Sequence, residues 1–147
     1  MTPVNAPAAN LTQAVPFFTV RDIDASVRFY VDGLGFSIEH RWDPDGRLRW
    51  CRLQRGGAAL MVQNRVRDDG TVGEEPARVG EGFSVCFTCK DALALHAEFT
   101  GHGLTTDEPF VGNHMWVVGL TDPDGYRIYF ESPTDVPEET FLSEWPR

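Results

Sequence analysis

The strongest constraint on the fold is an internal repeat that spans most of this 147-residue chain. Val20 and Cys89 each end a strand-like run of residues, and they lie 69 positions apart. In both copies an aspartate follows two residues later, at Asp22 and Asp91. Self-similarity at a fixed offset is typical of a duplicated structural unit. The chain is therefore expected to contain two copies of one small module.

Each copy shows the same predicted order of elements. Alternation of apolar and polar residues predicts four strands per copy. They cover 15–20, 36–42, 47–53 and 58–63 in the first copy, and 83–89, 104–111, 114–120 and 126–131 in the second. A helix follows each first strand, because aspartate is a good N-cap and apolar residues recur behind it at helical spacing. The sequence thus predicts an α+β fold, with two tandem βαβββ modules that form a cupped mixed sheet with helices on the outside.

The domain boundaries follow from the repeat. The first module is predicted at 14–64 and the second at 82–133. Between them, residues 65–81 hold charges, glycines and a proline without periodicity, which is typical of a linker or mobile loop. Residues 1–13 are expected to be a flexible lead, and residues 134–147 a C-terminal tail.

Composition excludes several classes of partner. The formal net charge of −9 argues against nucleic acid and anionic membranes, since both need a basic footprint. No apolar run approaches the roughly 20 residues of a membrane-spanning helix, and we expect no signal peptide. The 3 cysteines show no disulfide framework. They favour reduced thiols and a cytoplasmic location.

The last predicted strand of the second module has two unlike faces. It follows the turn-forming run DPDG, and it places Arg127, Tyr129 and Glu131 on one face opposite a wholly apolar one. The apolar face fits a core, so the other face is expected to line a cup with aromatic walls. A tightly filled module interface without a cavity is the alternative. Alternation in all strands predicts the ligand-binding residues Phe17, Trp50, Met61, Gln63, Trp116, Tyr129 and Glu131, with Trp42 as a further candidate.

Glu131 and His114 are the candidate acid and base. A carboxylate in the cup could orient a cationic ligand or transfer a proton, and an imidazole can act as a general base near neutral pH. His114 begins a predicted strand that also carries Trp116. Two alternatives stay open: Glu131 forms an ion pair with an arginine such as Arg52 or Arg127, or His114 is a surface residue.

Three runs of residues, in this order and partly duplicated, resemble the vicinal oxygen chelate superfamily. They read F-T-V-x-D-I-x-x-S-V-x-F-Y-x-x-G-L-G-F at 18–36, G-G-A-A-L-M at 56–61 and D-P-D-G-Y at 122–126. That superfamily includes glyoxalase I, extradiol dioxygenases, fosfomycin-resistance enzymes and bleomycin-resistance proteins. The resemblance covers about 14–133. It implies paired βαβββ modules around a shared site, usually in a homodimer.

The resemblance also locates the positions at which metal-dependent members carry their four ligands. Those ligands are typically His, Gln or Glu on the first and last strands of each module, a set that suits a divalent metal. The matching positions here are Val15, Met61, Ser84 (or Phe83 with a one-residue shift) and Tyr129. Val15 and Met61 cannot serve as such ligands, so no metal or other cofactor is expected. A displaced metal site that uses His114, Glu131 and Gln63 is the remaining alternative.

Three functional hypotheses result. The first is a metal-independent small-molecule-binding protein similar to bleomycin-resistance proteins, which sequesters an apolar or aromatic ligand in a dimeric cup. The alternative is an enzyme of the same superfamily, a glyoxalase-like lyase or isomerase or a dioxygenase, with a displaced or absent metal site. The third is a scaffold or interaction protein without a pocket.

Overall fold

The sequence repeat becomes two βαβββ modules in the computed structural model, which describes residues 10–64 and 79–145. The first module comprises β1 (Phe17–Val20), α1 (Ile23–Val27), a π-helical turn (Arg28–Gly33), β2 (Ser37–Trp42), β3 (Trp50–Arg55) and β4 (Ala58–Asn64). The second comprises β5 (Ser84–Thr88), α2 (Ala92–Gly101), β6 (Phe110–Gly112), β7 (Met115–Thr121) and β8 (Arg127–Pro133). A 3-10 helix (Leu142–Glu144) follows. The predicted α+β class and module order are confirmed.

Each module forms its own four-stranded mixed sheet. The strand orders are β1-β4-β3-β2 and β5-β8-β7-β6, with β1–β4 and β5–β8 parallel and the other neighbours antiparallel. Phe17 pairs with Met61 in the first sheet, and Cys86 pairs with Tyr129 in the second. Equivalent pairs are therefore 69 and 68 residues apart. The strand register thus repeats with the sequence.

Both helices begin at the predicted aspartate caps. The Asp22 carboxylate accepts hydrogen bonds from the backbone N–H groups of Asp24 and Ala25, at 3.0 and 3.2 Å. The Asp91 carboxylate accepts one from Ala94 at 3.0 Å. These bonds satisfy backbone donors that have no partner inside a helix.

One face of each sheet is buried under its helix, and we call it the back face. In the first sheet Phe18 faces Tyr30, with ring centroids 6.5 Å apart. In the second sheet Phe130 faces Phe99, with ring centroids 5.0 Å apart. All four side chains are buried, so the core lies between sheets and helices. The opposite face of each sheet is called its front face below.

The modules join through helices, turns and back faces. The Tyr30 hydroxyl of the first module donates to the buried Asp122 carboxylate of the second at 2.7 Å. The ring of Phe18 stacks on Tyr126 with centroids 4.0 Å apart. Within the described residues, no hydrogen bond, ion pair or ring contact links the side chains of the two front faces. In a single chain the two front faces are therefore not joined to each other by such contacts.

Several boundaries differ from the predicted ones. β1 begins at Phe17, so Val15 precedes the strand, and β6 is limited to three residues. Most of the predicted linker, 65–78, lies outside the described residues, as do 1–9 of the predicted lead. Residues 134–145 pack along β6. Among the described residues, no helix has the length and apolar character needed to cross a bilayer.

Replacing Gly125 with alanine is expected to destabilise the fold by roughly 1–2 kcal/mol, because Gly125 has a φ of 90° that L-residues adopt only with strain. Gly57, which lies 68 residues earlier in the β3–β4 turn of the first module, is outside the left-handed region and has open space around it. Gly57→Ala should change stability by less than about 0.5 kcal/mol. Urea unfolding of both variants measures the difference. Equal stability of the two variants would show that the left-handed backbone at Gly125 does not require glycine.

Candidate functional site

The front face of the first sheet carries aromatic side chains that solvent can reach. Trp50 pairs with both Gln63 and Trp42 across neighbouring strands, and Phe17 pairs with Met61. Phe17 is 49% exposed and Trp42 is more exposed still. We call Phe17, Trp42, Trp50, Met61 and Gln63 front face 1. Alternation along the strands predicted the orientation of these residues, and the sheet places them together.

The front face of the second sheet combines polar and apolar groups. Tyr129 pairs with Cys86, and Glu131 lies between Thr88 and Val117. We call Cys86, Thr88, Val117, Tyr129 and Glu131 front face 2. Tyr129 and Glu131 were predicted on this face, whereas the other three were missed. Alternation along β5 could have indicated Cys86 and Thr88, because both lie opposite the apolar residues of that strand.

Arg127 fixes the ring of Tyr129. Its guanidinium carbon is 5.0 Å from the ring centroid, and its Nε donates to the Tyr129 hydroxyl at 3.3 Å. The same guanidinium bonds Asp107, and it donates to Thr121 Oγ1 at 2.8 Å. A Cβ at Gly119 would lie 2.8 Å from the guanidinium and 3.1 Å from the Tyr129 ring. Glycine at this position therefore leaves room for the cluster.

No arginine or lysine within residues 10–64 and 79–145 pairs with the Glu131 carboxylate. The two arginines considered in the sequence have other partners: Arg127 pairs with Asp107, and Arg52 lies 3.8 Å from Glu39. The Glu131 carboxylate lies near the Cys86 thiol of the neighbouring strand and raises the pKa of that thiol. Front face 2 thus presents a carboxylate that no described cation neutralises.

Cys86 is exposed to solvent, but its partial desolvation at the sheet surface, together with the neighbouring Glu131 carboxylate, raises the pKa of its thiol to about 11 from the usual 9.0. At neutral pH this lowers the thiolate fraction about 100-fold. Because a thiolate with a higher pKa is more nucleophilic, about tenfold of the resulting loss in reaction rate is recovered. Cys86 is therefore expected to react with iodoacetamide about tenfold more slowly than an ordinary thiol. Glu131→Gln should accelerate the reaction, and buried Cys51 serves as the control. Peptide mass spectrometry measures both rates; equal rates in the two proteins would contradict the contact.

Trp116 does not lie where the sequence predicted. Val117 is the β7 residue that pairs with Glu131, whereas Trp116 pairs with Ser132 and Val111. Trp116 is buried on the back face. The prediction that it faces the cup is wrong, because alternation identifies residues that share a face but not which face is buried.

The structure does not bring His114 and Glu131 together. His114 is exposed in the β6–β7 turn with a φ of 63°, before the strand that it was predicted to begin. It precedes Val117, the partner of Glu131, by three residues, which corresponds to about 10 Å along the sheet. Gln63 lies on the other sheet. The three residues of the predicted displaced metal site therefore come from separate parts of the chain.

The four positions at which relatives would hold a metal do not form a ligand set. Met61 lies on front face 1, whereas Ser84 and Tyr129 belong to the second sheet. Two of the four side chains, Val15 and Met61, lack a nitrogen or oxygen donor for a hard divalent ion. Among the described residues, no three His, Cys, Asp or Glu side chains are grouped closely enough to hold a metal ion. The residues present do not fit the metal site of the family.

A cleft of about 690 Å³ lies between the β3–β4 turn and β5. Its floor consists of aromatic rings that pack on each other, with centroid distances of 5.8 Å for Phe36–Phe87 and 5.6 Å for Phe87–Phe130. At its edge, Arg55 is already bonded twice by Glu98, at 2.6 and 2.9 Å. The cleft therefore offers apolar surface, but its arginine is not free to bind an anion.

The model of the Glyoxalase/Bleomycin resistance protein/Dioxygenase superfamily matches residues 11–130. A bleomycin-binding protein complexed with bleomycin is 23% identical, with a TM-score of 0.63 over 83% of this chain and 98% of that one. The bleomycin-binding protein of Streptomyces verticillus, complexed with copper(II)-bleomycin, is 23% identical, with a TM-score of 0.65 over 83% and 96%. The bleomycin resistance determinant encoded on transposon Tn5 is 24% identical, with a TM-score of 0.66 over 86% and 100%.

These solved structures share the fold of the chain. No curated protein sequence matches it. The family match covers far more than half of the chain, and it includes β1 through most of β8. The chain therefore belongs to the glyoxalase/bleomycin resistance protein/dioxygenase superfamily.

Proposed function

We propose that this protein binds a planar aromatic, cationic small molecule on its front faces and needs no metal ion to do so. Two observations made together carry the proposal. Front face 1 has exposed aromatic side chains, and the Glu131 carboxylate of front face 2 has no cationic partner among the described residues. Aromatic walls with a few placed polar groups are typical of small-molecule sites. The bleomycin complexes of two structural neighbours support a small-molecule ligand.

A homodimer would complete the site. The front faces of one chain have no linking contacts, so front face 1 of one copy can close over front face 2 of another with the ligand between them. A ligand held this way loses more water contact than on a single open sheet, which favours binding. Light scattering during gel filtration should give the mass of two chains. A monomer that still binds ligand would reject the dimeric arrangement. A cytoplasmic location stays a prediction from the reduced cysteines.

A thermal-shift experiment on chelator-treated protein tests the proposal. The probes are bleomycin, the planar cation proflavine and its uncharged ring system acridine. Zinc, manganese and nickel salts are tested separately, to show whether a metal ion alone stabilises the protein. A ligand at 100 times its Kd adds about 2.7 kcal/mol of stability, which raises Tm by several degrees. Bleomycin or proflavine should raise Tm, and the metals alone should not. A metal-dependent shift, or none with any organic probe, would reject the proposed function.

A further inference from the structure

The C-terminal segment, residues 134–145, extends the second sheet beyond β6. Phe141 forms an antiparallel bridge with Phe110. On either side of this bridge, the Val111 N–H donates to the Thr140 carbonyl and the Leu142 N–H donates to the Pro109 carbonyl, both at 2.9 Å. The family match ends at residue 130, so this segment is an addition to the matched region.

Further contacts hold the segment in place. The Glu138 carboxylate accepts hydrogen bonds from the N–H groups of Asn113 and His114, at 2.6 and 3.0 Å. Both residues have left-handed backbones, with φ of 52° and 63°, and this conformation directs consecutive N–H groups towards one anion. Leu142 and Trp145 pack against the core. The backbone position of Phe141 is therefore fixed by the fold.

Phe110 and Phe141 lie in the same cross-strand row as Glu131. The row runs Thr88, Glu131, Val117, Phe110 and Phe141 through successive pairs. Paired residues point to the same side of a sheet, so the row belongs to the surface of front face 2. Glu131 and Phe110 are two strands apart, which corresponds to about 10 Å. A fused three-ring cation can span that distance.

The two rings are open to a ligand. Phe110 is 37% exposed and Phe141 is 44% exposed, and their centroids are 6.2 Å apart with planes tilted by 44°. A Cβ at Gly112 would lie 3.0 Å from the Phe110 ring. Glycine at this position therefore leaves room for the ring to lie over the strand. Tilted rings at this spacing present two aromatic walls.

We propose that Phe110 and Phe141 form an aromatic subsite of front face 2, which holds the ring system of a planar cation while Glu131 holds its charge. The inference deepens the proposed function and rests on it. Charge complementarity favours a cation as the occupant of the subsite. The chain carries a net charge of −9, and no cation among the described residues neutralises the Glu131 carboxylate in this row. The subsite depends on a residue of the C-terminal segment, so ligand selectivity would lie partly outside the family match.

Phe141 variants test the subsite with proflavine as the probe. Loss of one stacking partner should weaken proflavine binding about three- to tenfold in Phe141→Ala. Phe141→Leu keeps an apolar side chain at the bridge and should lose similar affinity, whereas Phe141→Tyr keeps the ring and should bind as the wild type does. Phe83→Ala is the matched control, because Phe83 is also exposed but its ring contacts Phe18 and Tyr126 on the back-face side. Circular dichroism checks that each variant is folded.

A parallel Glu131→Gln measurement separates the two proposals. Weaker binding in Glu131→Gln together with unchanged binding in Phe141→Ala and Phe141→Leu overturns the subsite alone. Lack of proflavine binding by the wild type, or no effect of any of these variants, overturns the subsite and the proposed cationic site together. If Phe141→Ala changes only the monomer–dimer equilibrium, and the dimer binds proflavine normally, a second copy covers these rings and the subsite is rejected.

Discussion

Replacing Asp122 with alanine is expected to lower the free energy of unfolding by about 3 kcal/mol, because three hydrogen-bond donors would lose their shared acceptor. The buried carboxylate accepts from the Tyr30 hydroxyl at 2.7 Å and from the N–H groups of Asp124 and Tyr126, both at 2.9 Å. It thereby fixes the turn before β8 and attaches that turn to the first module. Urea unfolding followed by tryptophan fluorescence measures the loss.

Asp122→Asn is the matched control, since an amide keeps an oxygen for the backbone donors and is nearly the same size. Its loss of stability should be about 1 kcal/mol or less at neutral pH. Tyr30→Phe should give an intermediate effect, because the two backbone bonds remain. If Asp122→Ala is as stable as Asp122→Asn, the hydrogen-bond account of this module contact is wrong.

The difference in stability between the wild type and Asp122→Asn is predicted to depend on pH. Burial raises the pKa of Asp122 above its usual value, and the hydrogen bonds that it accepts offset only part of that effect. The folded state therefore binds a proton at Asp122 more tightly than the unfolded state does. As pH rises through the usual carboxyl pKa and then the raised one, the wild type should lose stability relative to Asp122→Asn. A difference that moves in the opposite direction would contradict the raised pKa.

Truncating Trp50 to alanine is expected to weaken proflavine binding about thirtyfold, the effect typical of a buried aromatic anchor in an interface. Trp50 is half-buried at the centre of front face 1, with Trp42 and Gln63 as cross-strand neighbours. The loss should appear mainly in the dissociation rate. Stopped-flow fluorescence of the dye measures both rate constants.

A matched pair of exposed rings provides the control for this prediction. Phe17 and Phe83 are both 49% exposed, but only Phe17 belongs to front face 1. Phe17→Ala should weaken binding, while Phe83→Ala should lower stability slightly without changing the Kd. Equal effects of the two changes on the Kd would show that general aromatic exposure, and not the front face, determines binding.

Strand alternation predicted much of the fold and part of the site. In β8 one face is apolar and the other is polar, so the orientation of Tyr129 and Glu131 could be predicted from their own strand. In β7 both faces are apolar, with Met115 and Val117 on one and Trp116 on the other. Hydrophobicity alone gives no preference there, and only the register with β8 shows that Trp116 is in the core.

The C-terminal segment could not be predicted for a different physical reason. Its contacts join residues far apart in sequence, such as Glu138 with Asn113, and its backbone follows β6 through a single bridge. A pairing this short leaves no detectable alternation of apolar and polar residues in the sequence. β6 itself was predicted over the longer range 104–111, and Phe110 was not predicted to face a ligand. The aromatic pair therefore emerged only from the three-dimensional structure.

An aromatic cation is expected to bind this protein without metal, with Glu131 recognising its charge. Isothermal titration of chelator-dialysed wild type and Glu131→Gln with proflavine and acridine tests both parts of this expectation. We expect saturable proflavine binding that the chelator leaves unchanged and that Glu131→Gln weakens about tenfold, as for a charge-assisted contact. Acridine should bind both proteins with similar affinity. Binding that disappears with the chelator and returns with a divalent metal, or that is indifferent to Glu131, would contradict the claim.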